Sequence, residues 1–134
     1  MKQRVIFICT HNSARSQMAE GLLRHLAGER YEVFSAGTVA TKVNPLAIKA
    51  MAEKGIDISN HTSDRIEKFM GMEFDYVITV CDNANESCPY FPANKTKWHW
   101  SFEDPSAAIG TEAEGLAKFR EIRDQIETKL KVLL

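Results

Sequence analysis

Two hydrophobic periods alternate along this chain. Val5-Ile6-Phe7-Ile8 is an unbroken apolar run of strand length that ends at Cys9, the pattern of a strand covered on both faces. From Ser16 the period lengthens: Met18, Ala19, Leu22, Leu23 and Leu26 recur at helical spacing and predict a core-facing helix stopped by Gly28. Tyr31 to Ser35 alternates toward a second strand ending at Ala36-Gly37. Asn44-Pro45 opens the next helix, with Asn44 as cap and Pro45 at the first helical position, and Gly55 closes it. Thr62 or Ser63 is placed to cap a short helix carrying Ile66, Phe69 and Met70. Tyr76 to Cys81 is the clearest buried strand, Lys97-Trp98-His99-Trp100 alternates as a fourth, and Leu116, Phe119, Ile122, Ile126, Leu130 and Leu133 mark one stripe of a terminal helix. Core packing accounts for the Trp and Leu positions without a cofactor.

Strands alternating with helices imply right-handed crossovers and a parallel sheet covered on both faces. The expected fold is α/β in three layers, α/β/α around a four-stranded parallel sheet, as one domain over residues 1–134. In such sheets ligands gather beyond the strand C-terminal ends. Here those ends deliver Cys9, Ser35, Cys81 and the segment before Asp104 to one edge.

Composition narrows the partners. A chain of 134 residues can bury roughly two-thirds of the surface it exposes when unfolded. With 17 basic and 18 acidic residues there is no electrostatic case for nucleic acid or an anionic membrane, so binding has to be local. The run from Val5 to Cys9 is too short for a signal-peptide core or a membrane span. Three cysteines fit thiol chemistry in a reducing compartment better than a secreted disulfide framework. A cytoplasmic protein is therefore expected, with a monomer as the working oligomeric state.

The chemistry concentrates in Cys9-Thr10-His11-Asn12-Ser13-Ala14-Arg15-Ser16, where the first strand gives way to the first helix. The first N–H groups of a helix have no intrahelical partners, and the helix dipole is positive there, so a tight loop can aim several donors at one tetrahedral anion. Five residues between Cys9 and Arg15 suffice to curl the backbone around a phosphate-sized ion with the sulfur at its base. Arg15 can then fork two hydrogen bonds onto the oxygens, which a lysine cannot do. The same field favours a thiolate, making Cys9 a candidate nucleophile.

Cys81 and Cys88 flank a polar hexapeptide. Zinc is a poor reading, because neither that gap nor the scattered His11, His25, His61 and His99 forms short-spaced ligand pairs. A thiol relay fits better: if the first and third strands are neighbours, about 4.8 Å apart, their ends bring Cys81 toward Cys9. A helical segment between Cys81 and Cys88 would hold their Cα atoms roughly 10 Å apart, beyond disulfide reach, so it would have to unwind on oxidation. Finally, Glu103-Asp104-Pro105 follows the fourth strand. Proline keeps Asp104 extended, and its carboxyl can serve as the acid that protonates a departing oxygen; an ordinary Asx turn is the plain alternative.

With these residues in view, the chain resembles the thioredoxin-coupled arsenate reductases, which share the fold of low-molecular-weight protein tyrosine phosphatases. Further matching stretches are Arg15 to Gly21, Ser35-Ala36-Gly37, Asn44-Pro45, Ile58 to Ser63, and His99-Trp100 before Asp104-Pro105. The cysteine-to-arginine loop alone indicates only the wider superfamily, whereas Cys81 and Cys88 distinguish the reductase. The resemblance implies that Cys9 attacks arsenate, that Arg15 and the loop from Thr10 through His11, Asn12, Ser13 and Ala14 to Ser16 hold its oxygens, and that Asp104 protonates the departing one. It implies further that Cys81 attacks the adduct to leave a transient Cys9–Cys81 disulfide, that Cys88 takes over Cys81, and that thioredoxin reduces the Cys81–Cys88 pair. Asn12 and Ser16 orient the loop on this reading, no cofactor is tightly bound, and a potassium ion is expected on oxygens of Asn12, Glu20, Ser35, Thr62 and Asp64. Two positions depart from the pattern. His11 stands where many members have glycine, which strains the backbone if its φ is positive, and Ala14 stands where some carry another cysteine. Two other readings remain open at this point. One is a low-molecular-weight protein tyrosine phosphatase working through a Cys9 phosphocysteine, which leaves Cys88 idle; the other is a non-catalytic anion-binding or redox-sensing module.

Overall fold

The computed structural model describes residues 2–80, 91–107 and 110–134, so Cys81 and Cys88 lie outside the described residues. Four strands, β1 (Gln3–Cys9), β2 (Tyr31–Gly37), β3 (Tyr76–Thr79) and β4 (Thr96–His99), form one sheet in the order β2-β1-β3-β4. Every pairing is parallel, with Cys9 opposite Gly37, Ile8 opposite Thr79, and Thr79 opposite His99. The first and third strands are thus neighbours, as the relay geometry requires. All four C-terminal ends lie at the edge where Cys9 emerges.

Side-chain alternation along β1 sorts the core. Val5, Phe7 and Cys9 join one cluster with Met18, Ala19, Leu22 and Leu23 of α1 (Arg15–Ala27), Ala47, Ala50 and Met51 of α2 (Pro45–Ala52), and Phe119, Ile122, Ile126 and Leu130 of α3 (Glu112–Leu130). Ile6 and Ile8 point the other way, into Ala36, Phe69, Phe74, Val77 and Phe91. On that second face Phe34, Phe69, Phe74 and Phe91 meet edge to face, with centroids 5.4 to 6.3 Å apart. Trp98 stacks between Tyr76 and Trp100 at 5.7 Å from each, so the tryptophans serve packing.

Helix ends follow local chemistry. Asn44 Oδ1 accepts from Leu46 N at 2.8 Å, with Pro45 behind it, and Thr111 with Glu114 forms a reciprocal capping box on α3. Gly55, at φ +74, carries the chain out of α2 in the left-handed region. Three expectations need correction. Leu26 is 40% exposed, because in the last turn of α1 it falls with Arg24 and His25 on the solvent side while Ala27 takes the buried position. Neither Thr62 nor Ser63 caps the next helix: Thr62 donates to Asp64 and Ser63 to the His11 carbonyl, leaving a single 3-10 turn over Ile66–Phe69 with Met70 exposed. Leu133 remains buried, but in a 3-10 turn after α3.

Candidate active site

The loop between β1 and α1 is held from outside. Its carbonyls at Thr10, His11, Asn12 and Ser13 accept, in turn, from Val39 N at 3.0 Å, from the Thr41 and Ser63 hydroxyls at 3.2 and 3.1 Å, from Gln17 Nε2 at 3.0 Å, and from Asn44 N at 2.9 Å. In a trans peptide the next N–H points opposite to the C=O. Four outward carbonyls therefore turn the amides of His11, Asn12, Ser13 and Ala14 toward the loop interior. The following helix adds to this field: Ala14, at its N-cap, offers no side-chain acceptor, and its first turn carries no carboxylate.

Gly37 is what lets the loop sit so close to the sheet. A Cβ there would lie 2.7 Å from Thr10 O and 2.8 Å from Asn12 N, both backbone atoms. The conformational strain falls on Asn12, at φ 47, rather than on His11. Asparagine tolerates the left-handed region better than most residues, and its side chain is used here at both ends. Asn12 Nδ2 donates to Ser16 Oγ at 2.8 Å and to Ser35 Oγ at 2.9 Å, while Oδ1 accepts from Gln17 Nε2 at 3.1 Å and from Asp64 N at 2.8 Å. Asn12, Ser16 and Gln17 are fully buried.

Because the Ser16 oxygen accepts from Asn12, its own hydrogen is available to the Cys9 sulfur, 2.9 Å away. Cys9 is 2% exposed and is the free cysteine among the described residues. Cys9, His11, Ser13, Ala14 and Arg15 line one narrow cleft together with Asp104 and Ser106. Arg15 is buried, bonded through NH1 to Phe102 O at 3.2 Å, with NH2 3.8 Å from Asp104 Oδ2. The Asp104 carboxylate also accepts from Ser106 N at 3.0 Å and Ser106 Oγ at 2.6 Å, so the Asx turn and the placement across the cleft occur together.

The oxygens expected around a potassium ion do gather, since Glu20, Ser35, Thr62 and Asp64 line a second pocket behind the loop. All are already engaged. Ser35 donates to Glu20 Oε1 at 2.5 Å, Arg24 holds Glu20 Oε2 at 2.5 Å, Thr62 donates to Asp64 Oδ2 at 2.8 Å, and Lys68 pairs with Asp64 Oδ1 at 3.2 Å. Among the described residues no cluster of His, Cys, Asp and Glu suits a metal ion. Each of the two carboxylates thus has a protein cation beside it, Arg24 on Glu20 and Lys68 on Asp64. Beside them, burial pushes His61 below the usual histidine range, Glu20 pulls it back up, and Arg24 lowers it further. Its Nδ1 meets Gln17 Oε1 at 3.0 Å and its Nε2 meets Arg24 NH1 at 3.1 Å.

Sequence reasoning brought Cys9, Arg15, Asp104 and the loop together but passed over the framework. Gln17, Arg24, Thr41, His61 and Ser106 were not assigned to the site. Gln17 carried a usable signal, a polar residue beside the apolar stripe of α1; the others depend on distant partners.

A parallel sheet that ends its central strand in a cysteine, followed by a loop of inward amides closed by a buried arginine, defines a cysteine-based oxyanion-binding protein. The profile of the low molecular weight phosphotyrosine protein phosphatase family matches residues 4–134, and the chain belongs to that family. The chain is 47% identical over 131 residues to the arsenate reductase of Oceanobacillus iheyensis, covering 98% of this chain and 94% of that one. A solved arsenate reductase in the phosphate binding state superposes with a TM-score of 0.83 at 36% identity, covering 98% of this chain and 95% of that one. A thioredoxin-dependent arsenate reductase of Corynebacterium glutamicum superposes with a TM-score of 0.67 at 28% identity, covering 99% of this chain and 64% of that one.

Proposed function

We propose that this protein reduces arsenate to arsenite in the cytoplasm, as an arsenical detoxification enzyme regenerated by thioredoxin. The observation that carries the reading is the loop itself: four carbonyls turned outward, a buried Arg15 and a sulfur hydrogen-bonded by Ser16 suit a tetrahedral dianion placed directly above a thiolate. The Cys9 thiolate attacks arsenic(V), Arg15 and the loop amides hold the remaining oxygens, and Asp104 gives the departing oxygen a proton, so that water leaves and a thiol-arsenate adduct remains.

The choice of reduction over ester hydrolysis rests on the other two cysteines and on the relatives. Val80 N donates to Ile8 O at 2.9 Å, so the residues one step before Cys81 and one step before Cys9 are bonded neighbours. Attack of the Cys81 thiolate on the Cys9 sulfur forms a Cys9–Cys81 disulfide and expels arsenite. The two electrons that take arsenic(V) to arsenic(III) come from the two thiols, a reduction that phosphate does not undergo. Cys88 then displaces Cys9 from Cys81, and thioredoxin, an external dithiol, reduces the Cys81–Cys88 disulfide. The thioredoxin dependence of the Corynebacterium relative supports that last step.

The test is arsenite production in the presence of thioredoxin, thioredoxin reductase and NADPH, comparing wild type with single serine replacements of Cys9, Cys81 and Cys88. Cys88→Ser is expected to lose multiple turnover while keeping any weak phosphatase activity. Full thioredoxin-linked turnover by that variant would defeat the relay.

A further inference from the structure

Two arms leave the Asn12 carboxamide. One N–H reaches Ser16, whose hydrogen is thereby turned to the Cys9 sulfur. The other reaches Ser35, which passes its own hydrogen to Glu20. The second arm therefore ends on a carboxylate whose side chain is only 13% exposed. Left bare, that charge is harmful in two ways: a largely buried anion without a partner is costly, and a negative charge at the end of this network opposes a thiolate at its other end.

Arg24 answers both. Its NH2 lies 2.5 Å from Glu20 Oε2 and 2.8 Å from the Val33 carbonyl oxygen, and its NH1 meets His61 Nε2. Three partners on α1, β2 and the segment after Ile58 fix the guanidinium, although the side chain is 46% exposed. Among the described residues no buried side-chain nitrogen or oxygen lacks a hydrogen-bond partner.

We propose that Arg24 is the positioning cation of the thiol site: it carries, on a side chain, the charge that the family resemblance assigns to potassium, and through Glu20, Ser35, Asn12 and Ser16 it holds the hydrogen bond onto Cys9. The proposal rests on Cys9 being the thiolate nucleophile. Glu20 neutralised by Arg24 can accept from Ser35 without adding net charge. Ser35 then keeps a lone pair for Asn12, and the amide is locked with its nitrogen toward Ser16.

The test uses the full-length reduced protein, with iodoacetamide alkylation of Cys9 followed by peptide mapping in potassium chloride and in choline chloride of equal ionic strength, at pH 7. Wild type is expected to react at one rate, and to melt at one temperature, in both salts. Arg24→Gln is expected to react about tenfold more slowly in choline chloride and to recover in potassium chloride. Arg24→Lys, which keeps the charge, should stay within about twofold of wild type in both. A wild-type rate or melting temperature raised by potassium alone would overturn the proposal, because an ion would then be needed beside Arg24. An Arg24→Gln variant that reacts like wild type in choline chloride, or that potassium fails to rescue, would overturn it as well. A wild-type Cys9 that is unreactive and gains no protection from arsenate would bring down the nucleophile reading and this proposal with it. A reactive Cys9 indifferent to Arg24 would bring down this proposal alone.

Discussion

Replacing Asn12 tests how the loop is held, because this one residue supplies both the left-handed turn and the interior hydrogen bonds. Asn12→Ala removes four side-chain bonds, two donated to Ser16 and Ser35 and two accepted from Gln17 and the Asp64 amide. At about 1 kcal/mol net for each, the loss comes to about 4 kcal/mol. Alanine at φ 47 adds about 1 kcal/mol of backbone strain, for a total near 5 kcal/mol. Asn12→Gly loses the same bonds without that strain, so it should be more stable than Asn12→Ala by about 1 kcal/mol, although glycine is ordinarily the more destabilising of the two. Urea unfolding followed by the fluorescence of Trp98 and Trp100 measures both variants, with the comparison made at unchanged denaturant slope. An alanine variant less than about 1 kcal/mol below wild type, or one more stable than the glycine variant, would refute the reasoning.

Other consequences are more local. Gly37→Ala pushes a methyl group within 2.8 Å of the Thr10 and Asn12 backbone, so it should displace the loop and lower arsenate turnover at least tenfold while leaving the urea midpoint less affected than Asn12→Ala does; steady-state kinetics of the purified variant checks this. The hydrogen bond from Arg120, with help from Arg123, holds Glu53 down to about 2 from an ordinary 4.5. Because its folded-state value is depressed, the stability it contributes is fully present above the unfolded-state value and is lost as pH falls from 4.5 toward 2. Glu53→Gln should therefore be less stable than wild type at pH 7, with the gap closing by about pH 2 in a series of thermal melts; a gap independent of pH would contradict it.

What could be read in the sequence was whatever depends on neighbours along the chain. The β1 run into Cys9, the Asn44-Pro45 helix start and the stripe of α3 each declare themselves by period or cap chemistry, and the structure keeps them. The fold class followed, and with it the edge where Cys9, Arg15 and Asp104 meet. What escaped depends on partners far away in sequence. The hydroxyl of Ser63 looks like a helix cap until it is seen on the His11 carbonyl 52 residues earlier. Arg24 looks like a solvated helix charge until Val33 O and His61 are found around it. The left-handed residue of the loop is Asn12 rather than the His11 singled out by comparison with glycine, because Asn12 alone has a side chain that the surrounding donors and acceptors can fully use.

The central claim, that the Cys9 adduct leaves by a thiol relay rather than by hydrolysis, is tested most directly by counting thiols in a single turnover. Fully reduced protein, with its three cysteines, is mixed with excess arsenate in the absence of any other reductant. Free thiols, arsenite and the disulfide peptide map are then measured together. The account predicts one arsenite per protein, two thiols lost, and a disulfide between Cys81 and Cys88 with Cys9 free. All three thiols retained with no arsenite formed, or arsenite formed while Cys81 and Cys88 stay reduced, would contradict it.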